Sequence, residues 1–362
     1  MSSAAQSGSH PAITVAATAT AVPEYAITRE DVKYYFQRVF HVDDARANAM
    51  MAIVDNAQVK RRYCIHPIDY IVEARPLARI TEEYIEHSIR LGQRVACKAL
   101  DRARLQPAAI DLLITVSCTG VMIPSLDAHL INRLGFRSDV RRLPITELGC
   151  AAGAAALGRA HDFLRAFPRG NVLLVAVEIP SLTFQRGNTS QANLISSILF
   201  GDGAAAAVIT GGHANGSGVR VLGTESYLFP HSIDAMGFDL KETGFHIVLS
   251  RDVPQMIRER IGALVDGFLA RHGLTRKSVS AFVLHPGGQK LLHFIEEELG
   301  LARSSTQPSW NVLADYGNLS SASVLFVLNE WMEQRKPASG DYGLLAAFGP
   351  GFSAELLLLQ WP

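Results

Sequence analysis

Long apolar runs, an excess of charge of either sign, and cysteine are all scarce in this chain. Lys plus Arg and Asp plus Glu each number 34 in 362 residues, so the formal net charge is zero. A balanced chain has no bulk field for nucleic acid, and any anionic ligand must meet a local patch. The four cysteines (Cys64, Cys97, Cys118, Cys150) form no CxxC pair and have no metal-ligand spacing. That argues against a metal site and for a reduced, cytoplasmic setting. The stretch Ile13–Val22 is alanine-rich, too short to span a bilayer, and lacks a basic segment before it. It reads as a first strand and not a signal peptide, and no membrane span is expected. Residues 1–11, rich in Ser, Ala, Gly and His, read as a disordered tail.

What the chain has is apolar mass: 48% of it is hydrophobic, enough for a large core and two or so domains. Strands alternate with helices. Val32–Phe40, Thr81–Leu100 and Cys150–Phe167 read as helices. Another is capped by Asp252 with Pro254 in its first turn, and a last one runs from Asn318 through Trp331. Leu112–Ser117, Val172–Val177, Ala204–Thr210, Phe282–Leu284, Leu344–Phe348 and Ala354–Leu359 are near-continuous apolar strands, as in an α/β sheet covered on both faces.

Two spacings coincide. Ser117 precedes Cys150 by 33 residues and His285 precedes Asn318 by 33, a common offset of 168 (285 − 117 and 318 − 150). Such self-similarity implies a strand–connection–helix unit used twice. It aligns Cys150 with Asn318 at the starts of two helices, Cys-Ala-Ala-Gly-Ala-Ala-Ala-Leu-Gly and Asn-Leu-Ser-Ser-Ala-Ser. Their small residues predict buried helices packed together between two sheets. The chain thus divides into 12–225, carrying the thiol, and 226–362, carrying the imidazole and carboxamide.

A thiol at the start of a buried helix meets unpaired N–H groups, which favour the thiolate, and a nearby His285 would lower its pKa further. Asn318 supplies a neutral donor that, with His285, could form an oxyanion hole. The bland alternative, a small core cysteine, is outweighed by the matched positions.

Glu147-Leu-Gly-Cys-Ala-Ala-Gly153, Leu284-His-Pro-Gly-Gly288 and Tyr316-Gly-Asn-Leu-Ser-Ser321 resemble the three active-site motifs of type III polyketide synthases. Leu199-Phe-Gly-Asp-Gly-Ala-Ala205 and Ala347-Phe-Gly-Pro-Gly351 fit the same chalcone synthase-like group. The resemblance implies a thiolase-like, layered αβαβα fold of two related halves, working as a homodimer. It implies no cofactor or metal, with coenzyme A thioesters as substrates. Cys150 would take a starter acyl group from an acyl-CoA. His285 and Asn318 would hold malonyl-CoA as it loses carbon dioxide, and Claisen condensation and cyclisation would follow.

Phe200 matches the family's gatekeeper between the CoA tunnel and the cavity. Cys118 and Ser196 stand where plant members carry threonine and glycine, so they would shape the cavity. Ser320 matches a serine beside the asparagine motif. Ile123-Pro124 matches a loop that in the family reaches into the partner's cavity, and Phe36-Gln-Arg38 resembles the start of a CoA-binding segment, making Arg38 a candidate for the CoA phosphates. Cys64 and Cys97 have no assigned role.

An alkylpyrone or alkylresorcinol from a fatty acyl starter is the expected product, with tetrahydroxynaphthalene from malonyl-CoA alone as the alternative. A β-ketoacyl synthase III fed by an acyl carrier protein is a sister possibility, disfavoured by the Phe200 and Gly349-Pro-Gly351 motifs. A silent scaffold of the same fold is disfavoured by the intact Cys, His and Asn.

Overall fold

A computed structural model describes residues 12–40, 51–52, 54–186, 188, 190–212, 218–335 and 337–362, with no side-chain description for 36–40. The tail read over 1–11 lies outside the described residues. Nine strands form one sheet: β1 (Ile13–Ala21), β4 (Leu112–Val116), β5 (Arg141–Ile145), β6 (Asn171–Glu178), β7 (Gly203–Gly211), β8 (Val219–Leu228), β11 (Val279–Leu284), β12 (Tyr342–Gly349) and β13 (Ser353–Gln360). Four further strands make two hairpin-like pairs, β2 (Tyr25–Thr28) with β3 (Arg61–Cys64), and β9 (Met236–Lys241) with β10 (Gly244–Leu249).

The large sheet runs β11-β12-β13-β8-β1-β7-β6-β4-β5. Counting large-sheet strands within each half, the first half has the order 3-2-4-5-1. The second, with four strands, has 2-3-4-1, which is the first half's order with its third strand left out. The repeat is therefore real at the level of topology. One correction concerns the layers: the two predicted sheets are a single sheet, joined where Thr14 and Val15 of β1 pair with Arg220 and Val219 of β8.

The burial pattern still makes five layers. Alternate residues of the first half's strands (Leu113, Leu173, Val175) face α2 (Leu77–Ala103) and α3 (Leu126–Leu134). Their neighbours Ile114, Val172 and Leu174 point the other way, onto α4 (Ala152–Ala166). In the second half Val283, Leu345 and Leu357 join that same central cluster around α9 (Ser323–Glu330). Phe282, Leu344 and Leu356 face outward onto α6 (Val253–Arg271), α7 (Gln289–Leu299) and α8 (Arg303–Tyr316). The period-two alternation of a doubly covered strand produces this division.

The expected helix starts move. Cys150 lies in a 3₁₀ turn, Gly149–Ala151, and α4 begins at Ala152. Asn318 is an isolated bridge partner of Phe200, and α9 begins only at Ser323 after a 3₁₀ turn at Ser320–Ala322. The strand ends Val116 and Leu284 keep the offset of 168 (284 − 116), but the helix starts differ by 171 (323 − 152). By that offset Cys150 corresponds to Ser321, not to Asn318. Three extra residues in the second connection carry Asn318 backward onto a strand-like segment.

The two central helices meet almost backbone to backbone. A methyl on Gly153 would sit 2.2 Å from the Ser321 carbonyl oxygen and 3.1 Å from Val324 Cγ1. Gly153→Ala should therefore destabilise the protein, since overpacking costs about 1–3 kcal/mol and outweighs a helix-propensity gain of about 1 kcal/mol. A denaturant midpoint lower than that of the unaltered protein is the expected result; an equal or higher midpoint would show that the helices can separate freely.

Candidate active site

Cys150, His285 and Asn318 come from three separate connections and line one cavity of about 620 Å³. All three are buried, at 8%, 2% and 2% exposure. Cys150 is held by the turn beneath it. Gly149 has φ 49°, and Pro350 packs where its side chain would be, with Cδ 2.5 Å from an added methyl. Gly349 in turn sits against the Leu148 carbonyl and the Ala151 amide. The Gly349-Pro350-Gly351 motif is thus the buttress of the thiol's turn.

His285 follows β11, its amide bonded to the Ala346 carbonyl at 2.8 Å. Gly287 leaves the imidazole room, because a methyl there would meet Leu291 at 2.6 Å and lie 3.5 Å from Nε2. The backbone of Asn318 is clamped by its amide to Leu199 O (2.8 Å) and by Gly201 N to its own carbonyl (3.1 Å). Its Oδ1 accepts from Ser320 N at 2.8 Å and from Ser323 Oγ at 3.3 Å. With Oδ1 occupied twice, the amide nitrogen is the group left for the thiol and the cavity.

Burial dominates the proton equilibria. It lifts the Cys150 thiol to about 11, against the smaller downward pull of hydrogen bonds from Ser320 and Asn318. It holds the His285 imidazole down at about 3. The low-pKa thiolate expected from a helix start is thus corrected. The turn is a short 3₁₀ segment and desolvation of the charge outweighs its dipole. The resting pair is a neutral thiol and a neutral imidazole whose Nδ1 has no hydrogen-bond partner among the described residues.

A second cavity of about 400 Å³ shares Cys150 and Phe200 with the first. Phe200 follows α5 (Gln191–Leu199) and so stands at their junction. Cys118, Ser196 and Ser320 line the second cavity, as does Cys64, which carried no assignment from sequence. Ser196 returns its hydroxyl to the Asn193 carbonyl (3.0 Å). Ser320, at φ 49°, reaches both sulfurs, 3.3 Å from Cys118 Sγ and 3.5 Å from Cys150 Sγ. Ile123 is 91% exposed and lines neither cavity of its own chain. Arg38 lies on α1 (Arg29–Phe40), but its side chain is outside the described residues.

Sequence reasoning missed Glu178. This fully buried carboxylate accepts from Thr119 Oγ1 (2.8 Å), Cys118 N (3.1 Å) and Ser321 Oγ, with Cys118 Sγ at 3.6 Å. Burial raises its pKa while those donors oppose the shift. The signal was present as an acidic residue closing the apolar run Val172–Val177. Among the described residues no group of three His, Cys, Asp or Glu could hold a metal ion, and no helix is long and apolar enough to cross a membrane.

The chain belongs to the chalcone and stilbene synthase family of condensing acyltransferases. Residues 1–213 match its N-terminal domain and 221–361 its C-terminal domain. A 1,3,6,8-tetrahydroxynaphthalene synthase of Streptomyces peucetius subsp. caesius is 38% identical over 350 residues, 96% of this chain and 93% of that protein. A phloroglucinol synthase of Pseudomonas fluorescens is 34% identical, covering 94% of this chain and 96% of its own. The crystal structure of the tetrahydroxynaphthalene synthase of Streptomyces coelicolor, a bacterial type III polyketide synthase, superposes with a TM-score of 0.91 at 36% identity. It covers 96% of this chain and 99% of that one. The fold is thiolase-like and the enzyme class is type III polyketide synthase.

The thiol's proton equilibrium separates burial from pairing. In the unaltered protein the pH profile of iodoacetamide alkylation at Cys150 should rise toward about 11, the value burial sets, and His285→Gln should leave that midpoint in place. A midpoint that moves in the variant would show that the imidazole, and not burial, governs the resting thiol.

Proposed function

We propose that this type III polyketide synthase uses malonyl-CoA as both starter and extender and closes the chain to a hydroxylated naphthalene. The carrying observation is the junction of two cavities at Cys150. His285 and Asn318 stand on one side, and the polar pair Cys118 and Ser320, with Glu178 buried behind Cys118, stands on the other. The fatty acyl starter expected from sequence gives way because near-full-length relatives are named tetrahydroxynaphthalene synthases.

In this reading the Cys150 proton passes to His285 as sulfur attacks the acyl-CoA carbonyl, and the CoA thiol leaves. Moving the proton replaces two neutral groups with adjacent opposite charges, whose attraction offsets part of their desolvation. Malonyl-CoA then enters through the larger cavity. Neutral His285 donates from Nε2 and Asn318 from its amide to the thioester oxygen, stabilising the enolate left when carbon dioxide departs. Each such donor is worth about 3 kcal/mol in comparable sites. The enolate carbon attacks the acyl-Cys150 carbonyl, and the thiolate leaves as the extended chain passes to CoA.

The same cavity is lined by Arg251 and Lys290, both exposed and with no carboxylate partner among the described residues. They are candidates for the CoA phosphates in place of the undescribed Arg38 side chain. Replacing both with Glu should raise the KM for malonyl-CoA at least about tenfold, two opposed charges being reversed. Little change in kcat is expected, and an unchanged KM would remove them from CoA binding.

Uniformly ¹³C-labelled malonyl-CoA supplied with unlabelled hexanoyl- and decanoyl-CoA tests the product. Mass spectrometry should find an aromatic product labelled at every carbon, and none from Cys150→Ala. An unlabelled alkyl segment in the main product would restore the fatty acyl reading.

A further inference from the structure

Arg62 is a buried cation that the mechanism above leaves unused. It lies on β3, is 7% exposed, and lines the smaller cavity together with Cys118, Cys150 and Phe200. Its one hydrogen bond among the described residues runs from Nη1 to the Ile198 carbonyl at 3.2 Å, near the end of α5. No carboxylate among the described residues lies within salt-bridge reach of it. Asp202, whose field it feels, instead accepts from Ile65 N (2.8 Å), Ser181 N (2.9 Å) and Ser181 Oγ (2.6 Å). A guanidinium carries several N–H donors and always keeps its charge. Burying it with a single partner is costly unless something else in the cavity accepts from it.

Ile27, Ile68, Ile71 and Phe184 line the same cavity, with Cys64 and Tyr35 also in its lining and within electrostatic reach of Arg62. Arg62 and Cys64 alternate onto the same buried face of β3. An alkyl chain entering this cavity would give the guanidinium no acceptor beyond the Ile198 carbonyl. A chain bearing an oxygen on every second carbon would supply acceptors to it.

We propose that Arg62 is a substrate-binding, specificity-determining residue that hydrogen-bonds ketone or enolate oxygens of the growing poly-β-keto chain and so selects oxygen-rich acyl groups over alkyl ones. It deepens the malonyl-CoA reading and rests on it for the identity of the chain. It does not rest on that reading for its test.

The test compares single-turnover acylation of Cys150 by two starters of equal length, 3-oxohexanoyl-CoA and hexanoyl-CoA. The unaltered enzyme should load the oxo starter at least about tenfold faster, as expected for a hydrogen bond to a charged group. Arg62→Met should abolish the preference, and Arg62→Lys should leave an intermediate ratio, keeping the charge but losing the planar fork. With malonyl-CoA alone, Arg62→Met should shorten the products while the first condensation persists. Equal loading by the unaltered enzyme overturns the proposal without any variant. A preference that survives Arg62→Met overturns it too, and assigns the residue to support of the Ile198 carbonyl alone. If Arg62→Met fails to fold, an unchanged ratio in Arg62→Lys overturns it as well. Failure of the naphthalene reading would show separately, as an unlabelled alkyl segment in the product.

Discussion

Close contact between two central helices is the constraint on which the site depends. Gly153 lets α4 rest against the Ser321 carbonyl, and Pro350 fills the space that Gly149 leaves empty. Those contacts bring the Cys150 turn beside the Ser320–Ala322 turn, so that one serine hydroxyl lies between two sulfurs. Asn318 is drawn in because Gly317, at φ 71°, lies so near the Leu199 carbonyl that an added methyl would sit 2.4 Å from its oxygen. Small residues are here a requirement of geometry, and their cost in helix propensity is covered by packing.

The same closeness sets the electrostatics. A thiol, an imidazole and the carboxylate of Glu178 are all removed from water, and each is pushed toward its neutral form. A neutral imidazole can donate one N–H to an enolate oxygen while its other nitrogen remains an acceptor. It is also the state that can take a proton from a thiol. Burial therefore suits His285 to both parts of the proposed reaction.

In the proposed reaction, two cavities meeting at Phe200 and Cys150 would separate delivery from folding of the chain. The larger one reaches exposed Arg251 and Lys290 and suits a CoA thioester. The smaller carries Cys118, Ser196 and Arg62, and suits a chain that must bend. Such a division lets one thiol be reloaded repeatedly while the product grows away from the entrance.

Several features were determined by the sequence alone. Apolar strands between helices, the repeated unit and the motifs around Cys150, His285 and Asn318 were legible because periodicity and glycine placement are local properties of a chain. The family resemblance also proposed Phe200 as a boundary residue, and its side chain lines both cavities. The tertiary structure decided the rest. The offset of 168 paired Cys150 with Asn318, yet the helices align at 171, because a connection's length is visible in a string and its path is not. Arg62 and Cys64 looked like ordinary strand residues until folding turned them toward a cavity, and Glu178 until it gathered donors from the Cys118 and Ser321 turns. The direction of the thiol's proton shift also reversed, since desolvation depends on every atom packed around a group and no linear pattern records it.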